Sequence, residues 1–287
     1  MKIINANYGG TDCTDVVKSK INGDKLILKV SNDIIGDPIP GTVKYLTVTY
    51  EIDGVEKTET WQEGTICSLP KTELKRLGIF YSNNDNSKIF PTIKQSLDSI
   101  AKAADGKADI ITCMWNPFEG NPFQEIISWY RSQSHLNQLL QIMQCLYTAR
   151  EIKEYDYVSF LEHDVLYPEG YFDYPEFDEG EIYTNMHYMG VNKDGWQQRK
   201  QNDEPFHQMT MRFNSAIEHC ENILPNALVR NAGMIESQTV TRKQWYSTQP
   251  AVHVNHGYHF TSHNSIYGTP TPELQPYWGS HEKYKLD

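Results

Sequence analysis

Long apolar runs are missing from this chain of 287 residues. No stretch approaches the ~18 apolar residues that a membrane-spanning helix needs. The opening MKIINANYGG lacks the basic region and apolar core of a secretory leader, so a cytoplasmic location is the expectation. Cysteine is scarce: Cys13, Cys67, Cys113, Cys145 and Cys220 form an odd set with no C-x-x-C pair. That pattern argues against both a disulfide framework and a cysteine zinc site. Positive charge is short as well, with 26 Lys and Arg against 37 Asp and Glu and a formal net charge of −11. Broad adhesion to nucleic acid or anionic lipid, which relies on clustered Lys and Arg, is therefore disfavoured. Internal repeats and low-complexity tracts are also absent. What the chain does have is 39% apolar residues and 18 tyrosines, ample for a packed core. Its length exceeds the usual ~100–200 residues per domain, so one large domain or two unequal ones is expected.

The texture changes near residue 70. Before it, KIINANY, KLILKVS, VKYLTVTYEI and EKTETWQ read as short strands separated by Gly-Gly, Asn-Gly-Asp, Gly-Asp-Pro and Asp-Gly. Asp53-Gly54 between two such runs is a strong hairpin signal. Residues 1–70 are expected to form a small all-β, sandwich-like module, whose function these residues do not reveal.

Residues 71–287 alternate between strand and helix. LGIFYS and DIITCMW are short apolar runs suited to buried strands. Between them Phe90, Ile93, Leu97, Ile100, Ala101 and Ala104 share one helical face. A second helix carries Leu136, Leu139, Leu140, Met143, Leu146 and Tyr147 behind Ser134 as N-cap, and leads into YVSFL. This α/β order implies a parallel sheet with right-handed crossovers, where ligands bind beyond the carboxyl ends of the strands.

At one such end lies YDYVSFLEHDVLYPEGYF, residues 155–172, in which an apolar run breaks into Glu162, His163 and Asp164. Two carboxylates so close repel each other unless one is protonated or a cation joins them. This segment resembles the D-x-D stretch of GT-A glycosyltransferases, family 2-like, and the order from LGIFYS to EHD resembles the nucleotide-binding, Rossmann-like half of that fold. The resemblance covers roughly residues 74 to 265. It implies that Glu162 and Asp164 hold Mn²⁺ or Mg²⁺ against the diphosphate of a nucleotide-sugar donor, a UDP-sugar first of all. Glu162 departs from the usual Asp and lengthens that arm by one methylene.

VHVNHGYHFTSHN holds His253, His256, His259 and His263, and looks like the late histidine segment that closes the metal site in many GT-A enzymes. If Val252 and Val254 face the core, His256 shares their side; His256 and then His259 are the expected ligands. Tyr81, Asn83 and Asn84 match the family's base- and ribose-contacting position, where a Tyr ring can stack on uracil. Trp115 and Asn116 end the next strand and could line the same crevice. Ser134, His135 and Gln138 open the helix before the acidic motif, whose N-terminus suits a diphosphate or base; His163 belongs to the same nucleotide-binding set. EIYTNMHYMGVNKDGWQQR resembles the hairpin after the motif, with NKDG as its turn, and RNAGMIESQTVTRKQW resembles the strand on the acceptor side. Glu236 is the candidate base for an acceptor hydroxyl. Trp196, Tyr188, Trp245 and Trp278 could stack an acceptor sugar or fill the core. The reading is a metal-dependent glycosyltransferase with a carbohydrate or other hydroxyl acceptor. A metal-dependent hydrolase using the same Glu, Asp and His cluster, or a silent carbohydrate-binding protein, are its rivals.

Overall fold

The computed structural model describes residues 1–70, 74–174, 176–178, 180–198, 208–230, 242–254 and 267–284. The chain divides into two units, Met1–Glu73 and Leu74–Asp287.

The N-terminal unit contains β1 (Lys2–Tyr8), β2 (Thr11–Asp12), α1 (Thr14–Ser19), β3 (Ile21–Asn22), β4 (Lys25–Lys29), β5 (Tyr45–Ile52), β6 (Val55–Gln62) and β7 (Ile66–Leu69). They form two sheets, β2-β1-β5-β6 and β3-β4-β7. Alternation in β5 turns Leu46, Val48 and Tyr50 inward, where they meet Leu26, Cys67 and Leu69 of the smaller sheet. On the outer side of β5, Thr47 and Thr49 bond Thr60 and Thr58 across the strands at 3.1 and 3.0 Å. The expected hairpin is present: Ile52 pairs with Val55 around Asp53 and Gly54, both at positive φ. That is the two-residue turn whose twist matches its strands. The all-β expectation needs one correction, since α1 inserts a six-residue helix and buries Val17 in the shared core. Asp12 opens it by accepting from the Thr14 N–H and hydroxyl at 2.8 and 2.6 Å, a local bond the strand periodicity does not signal.

The second unit contains β8 (Arg76–Ser82), α2 (Phe90–Ala104), β9 (Ala108–Met114), β10 (Gln124–Ile127), α3 (His135–Ile152), β11 (Tyr157–Glu162), β12 (Val165–Leu166), β13 (Ile182–Asn185), β14 (Tyr188–Asn192), β15 (Gly195–Gln197), β16 (Met209–Arg212), α4 (Phe213–Arg230), β17 (Arg242–Trp245) and β18 (Ala251–Val254). Seven strands form a mixed sheet in the order β10-β9-β8-β11-β16-β13-β17. Strands β10, β9, β8 and β11 are parallel, and β16 runs against both its neighbours. The chain enters at β8, adds β9 and β10 on one side, and returns through α3 to place β11 on the other. A reversal of strand order therefore falls between β8 and β11.

Alternation along these strands builds the layers. Leu77, Ile79 and Tyr81 of β8, with Val158 and Phe160 of β11, pack against Leu136, Leu139, Ile142 and Leu146 of α3. Phe80, Tyr157 and Leu161 turn to the opposite face, where α2 and a group of aromatic rings cover them. Burial on both faces explains why these strands read as continuous apolar runs. Two positions of α2 differ from the expected face: Phe90 is exposed and Ala101 half-buried, while Ser96 and Ser99 are buried. A second sheet, β12-β18-β14-β15, closes its own core over Leu166, Met189, Val191, Trp196, Val252 and Val254. The hairpin with NKDG as its turn is β14 and β15, where Asn192 pairs with Gly195. The IYTN ahead of it departs from that hairpin and pairs instead with β16 and β17 in the large sheet. No described helix is long and apolar enough to cross a membrane.

Candidate functional site

Tyr81 and Glu162 are register partners at the ends of β8 and β11, at the reversal of strand order. Glu162 continues the alternation of Val158 and Phe160, so it lies on the α3 face beside Tyr81. The Tyr81 hydroxyl donates to Glu162 Oε1 at 2.8 Å, and Gln138 Nε2 donates to the Tyr81 oxygen at 2.9 Å and to Glu162 Oε1 at 3.3 Å. Burial, then the adjacent Glu162 charge, pushes the Tyr81 phenol well above its ordinary pKa, so it keeps the proton it donates. The ring itself is only 6% exposed and belongs to the α3 core. The stacking expected of Tyr81 therefore finds no exposed ring face, and its hydroxyl is engaged by Glu162 and Gln138.

The turn after Glu162 is fastened from both sides. Ser96 of α2 donates its hydroxyl to Val165 O at 2.6 Å and to Glu162 O at 3.2 Å. The Glu162 N–H donates to the Tyr167 hydroxyl at 2.9 Å, and the Tyr167 N–H to Ser99 Oγ at 3.0 Å. From β18, the Val254 N–H donates to Asp164 O at 2.7 Å. Sequence reasoning missed Ser96 and Ser99, because buried serines interrupt an apolar stripe without announcing a partner. His163, between the two carboxylates, is half-buried.

Asp164 is buried and its Oδ2 lies 3.3 Å from His253 Nε2. With Asp164 ionised, its carboxylate accepts and the shared proton is on His253 Nε2. Tyr267 lies parallel to the His253 ring at 5.7 Å and 19°. Gly190 makes room for that tyrosine, since a Cβ there would come 2.9 Å from its ring. Val252 and Val254 do face a core, that of the second sheet, and His253 between them is buried as well. His256, His259 and Glu236 lie outside the described residues.

A chain of amides ties the other strand ends together. Asn84, only 1% exposed, accepts from the Asn116 N–H at 2.9 Å and donates to Asn116 O at 2.7 Å, and Asn116 Nδ2 donates to Asn84 O at 3.2 Å. These bonds use Asn84 as a strut between β8 and β9. Asn83 accepts from Asn137 Nδ2 at 2.8 Å, and Gln141 Nε2 donates to Ser82 O and Cys113 O at 3.1 and 3.0 Å. Trp115 is buried and donates its indole N–H to Asn137 at 3.2 Å. Ser134 is the N-cap of α3, accepting from the Asn137 N–H at 3.2 Å, and His135 opens the helix half-buried. Arg131, which sequence reasoning passed over, reaches Asn116 Oδ1 at 3.3 Å. Trp196, Tyr188 and Trp245 are buried and Trp278 packs against the second sheet's core, so the three buried rings have no face to offer an acceptor.

Among the described residues, no group of three His, Cys, Asp or Glu side chains is arranged to hold a metal ion. Glu162 and Asp164 still supply, on one rigid turn, the oxygen donors that Mn²⁺ or Mg²⁺ prefers. Chemically the strand ends bring together two carboxylates on one turn, a set of hydrogen-bonded amides and the N-terminus of α3.

No protein-family model matches this chain, and no curated protein matches it significantly. Among solved structures, TarS of S. aureus is similar at a TM-score of 0.40 and 10% identity over 64% of this chain, which spans 37% of TarS. A glycosyltransferase involved in glycosylation of the major capsid of PBCV-1 is similar at 0.35 and 10% identity, over 66% of this chain and 95% of that one. The galactosyltransferase LgtC, solved with donor and acceptor sugar analogues, is similar at 0.33 and 10% identity, over 55% of this chain and 66% of that one. Scores below 0.5 do not fix a shared fold.

Proposed function

We propose that this chain is a glycosyltransferase that moves a sugar from a nucleoside-diphosphate donor, a UDP-sugar, to an acceptor hydroxyl. The observation that carries the reading is the pair Tyr81–Glu162 at the reversal of strand order, continued by Asp164 on a turn held at five backbone points. A crevice beyond strand carboxyl ends at such a reversal is where open α/β sheets bind nucleotides.

In this reading Glu162 and Asp164 hold Mn²⁺ or Mg²⁺, which would neutralise charge on the departing diphosphate more strongly as the glycosidic bond lengthens. Tyr81 and Gln138 fix the orientation of Glu162, and His253 that of Asp164. The N-terminus of α3, with Ser134 and His135, offers N–H groups and positive dipole to a phosphate. Asn83 and His163 are donor contacts. Glu236 would take the acceptor proton, and His256 or His259 would complete the ion's ligands.

Thermal melting with UDP, with Mn²⁺ and with both tests the reading. Stabilisation by UDP that requires the ion is expected, and Glu162→Gln or Asp164→Asn should remove the ion-dependent part. Slow release of free sugar from a UDP-sugar without acceptor should accompany it. Stabilisation by no nucleotide would reject transfer, and donor binding with no turnover would leave a binding protein.

A further inference from the structure

A nucleobase needs a flat apolar face, and the residues expected to offer one do not: the rings of Tyr81 and Trp115 are 6% and 8% exposed. Register identifies another. Ser82, Met114 and Ile127 are partners across β8, β9 and β10, and Glu162 of β11 pairs with Tyr81. Two residues beyond each of these strand ends stand Asn84, Asn116, Trp129 and Asp164 respectively, so Trp129 belongs to the same rim as the amide strut and the acidic turn.

Trp129 is 71% exposed. An indole standing in water on a loose loop would need little explanation, but this segment is fixed. The Ser128 N–H donates to Met114 O at 2.7 Å, its hydroxyl donates to Tyr130 O at 2.7 Å, and Gln144 of α3 donates to Ile127 O at 3.2 Å. The Tyr130 ring packs edge-on against Trp129 at 6.1 Å and 66°, and is itself packed on the α3 core. Beside it, Arg131 is held by Asn116 at 3.3 Å. A rigid aromatic face next to a guanidinium and a primary amide suits a planar ring that carries donors and acceptors on its edge.

We propose that Trp129 is the stacking surface for the base of the nucleotide donor, with Arg131 and Asn116 at the ring's edge. The proposal rests on the sugar-transfer reading and adds to it the residue that recognises the base. Its test is calorimetric titration of UDP, uridine and inorganic pyrophosphate, each with Mn²⁺, into the wild-type chain and into Trp129→Ala and Trp129→Phe. Trp129→Ala should weaken UDP about tenfold to a hundredfold, Trp129→Phe should restore most of that, and pyrophosphate should bind all three alike. Uridine should also quench the part of the tryptophan emission that Trp129→Phe removes. Because the side chain stands in solvent, both variants should melt with the wild type.

Undiminished UDP affinity in Trp129→Ala would overturn the proposal while leaving nucleotide binding intact. Pyrophosphate weakened as much as UDP, or quenching by free monosaccharides in place of uridine, would overturn it too. A wild-type chain that binds no nucleotide would remove the transfer reading and this proposal together.

Discussion

Ser96 sits under the acidic turn with its hydroxyl on two backbone carbonyls, those of Glu162 and Val165. Ser96→Ala would remove a buried donor shared by both carbonyls, a loss that costs about 1–3 kcal/mol. Urea unfolding of the variant should show a loss of that size, while Lys94→Ala on the solvent side of the same helix should show almost none. The thiols give a prediction of a different kind. All five cysteines are buried, and burial pushes Cys13 up to about 11 and Cys67 and Cys220 up to about 12. A thiol reagent at pH 8 should modify essentially none in the native chain and all of them after denaturation. The sign with pH follows: folding favours the protonated thiols, so their contribution is complete below the unfolded value of about 8.5 and declines as pH rises past it. At the acid end Asp12 acts oppositely. The Thr14 hydroxyl, then the Thr14 N–H, lowers its carboxyl, so that contribution is present above about pH 4 and disappears as the pH falls further. An acid melting series with Asp12→Asn should show a shallower decline.

Among the elements, β14 and β18 carry a relay of contacts: Gly190 admits the Tyr267 ring, the ring lies on His253, and His253 holds Asp164. Gly190→Ala should push the tyrosine off that position and destabilise by about 1–3 kcal/mol, as overpacking does. Its ion-dependent stabilisation by UDP should fall further than that of Gly78→Ala, which meets Ile110 at 2.5 Å and Leu161 at 2.8 Å in the sheet interior. Gly195→Ala should be worse than either in denaturant midpoint, since its φ is +145° and the new carbon would meet the backbone of Thr271. Elements with a strong period were readable from sequence: α3 follows its leucines, and β8, β9 and β11 follow their apolar runs. Elements lacking such a period were not. QMTMR and QEII are too short to show alternation, so β16 and β10 went unread, and β12 is two residues long. IYTN joins the large sheet through partners 27 and 60 positions away in the pairs Tyr183–Thr210 and Tyr183–Lys243, a long-range choice that local pattern does not encode.

For the whole molecule, each unit closes a core of its own, one around Tyr8, Leu46 and Leu69 and the other around the seven-stranded sheet. Of the six tryptophans only Trp61 lies in the first unit. Denaturation followed by tryptophan emission should therefore report mainly the second unit. The transition in far-ultraviolet dichroism should not coincide with it, as expected for a chain that departs from two-state unfolding. The site shows the same division between what was legible and what was not. Glu162 and Asp164 stood out because charge interrupts an apolar strand. Asn137, Gln141 and Arg131 did not, because amides on a helix and an arginine in a loop look ordinary until the strand ends are brought beside them.

The fastening of the acidic turn by Ser96 and Ser99 means the motif is not portable. Grafting residues 162–167 onto another scaffold would carry over the carboxylates and leave behind the helix that sets their bearing. Any lineage that altered the buried side of α2 would retune the acidic turn from beneath, with every residue of the turn unchanged.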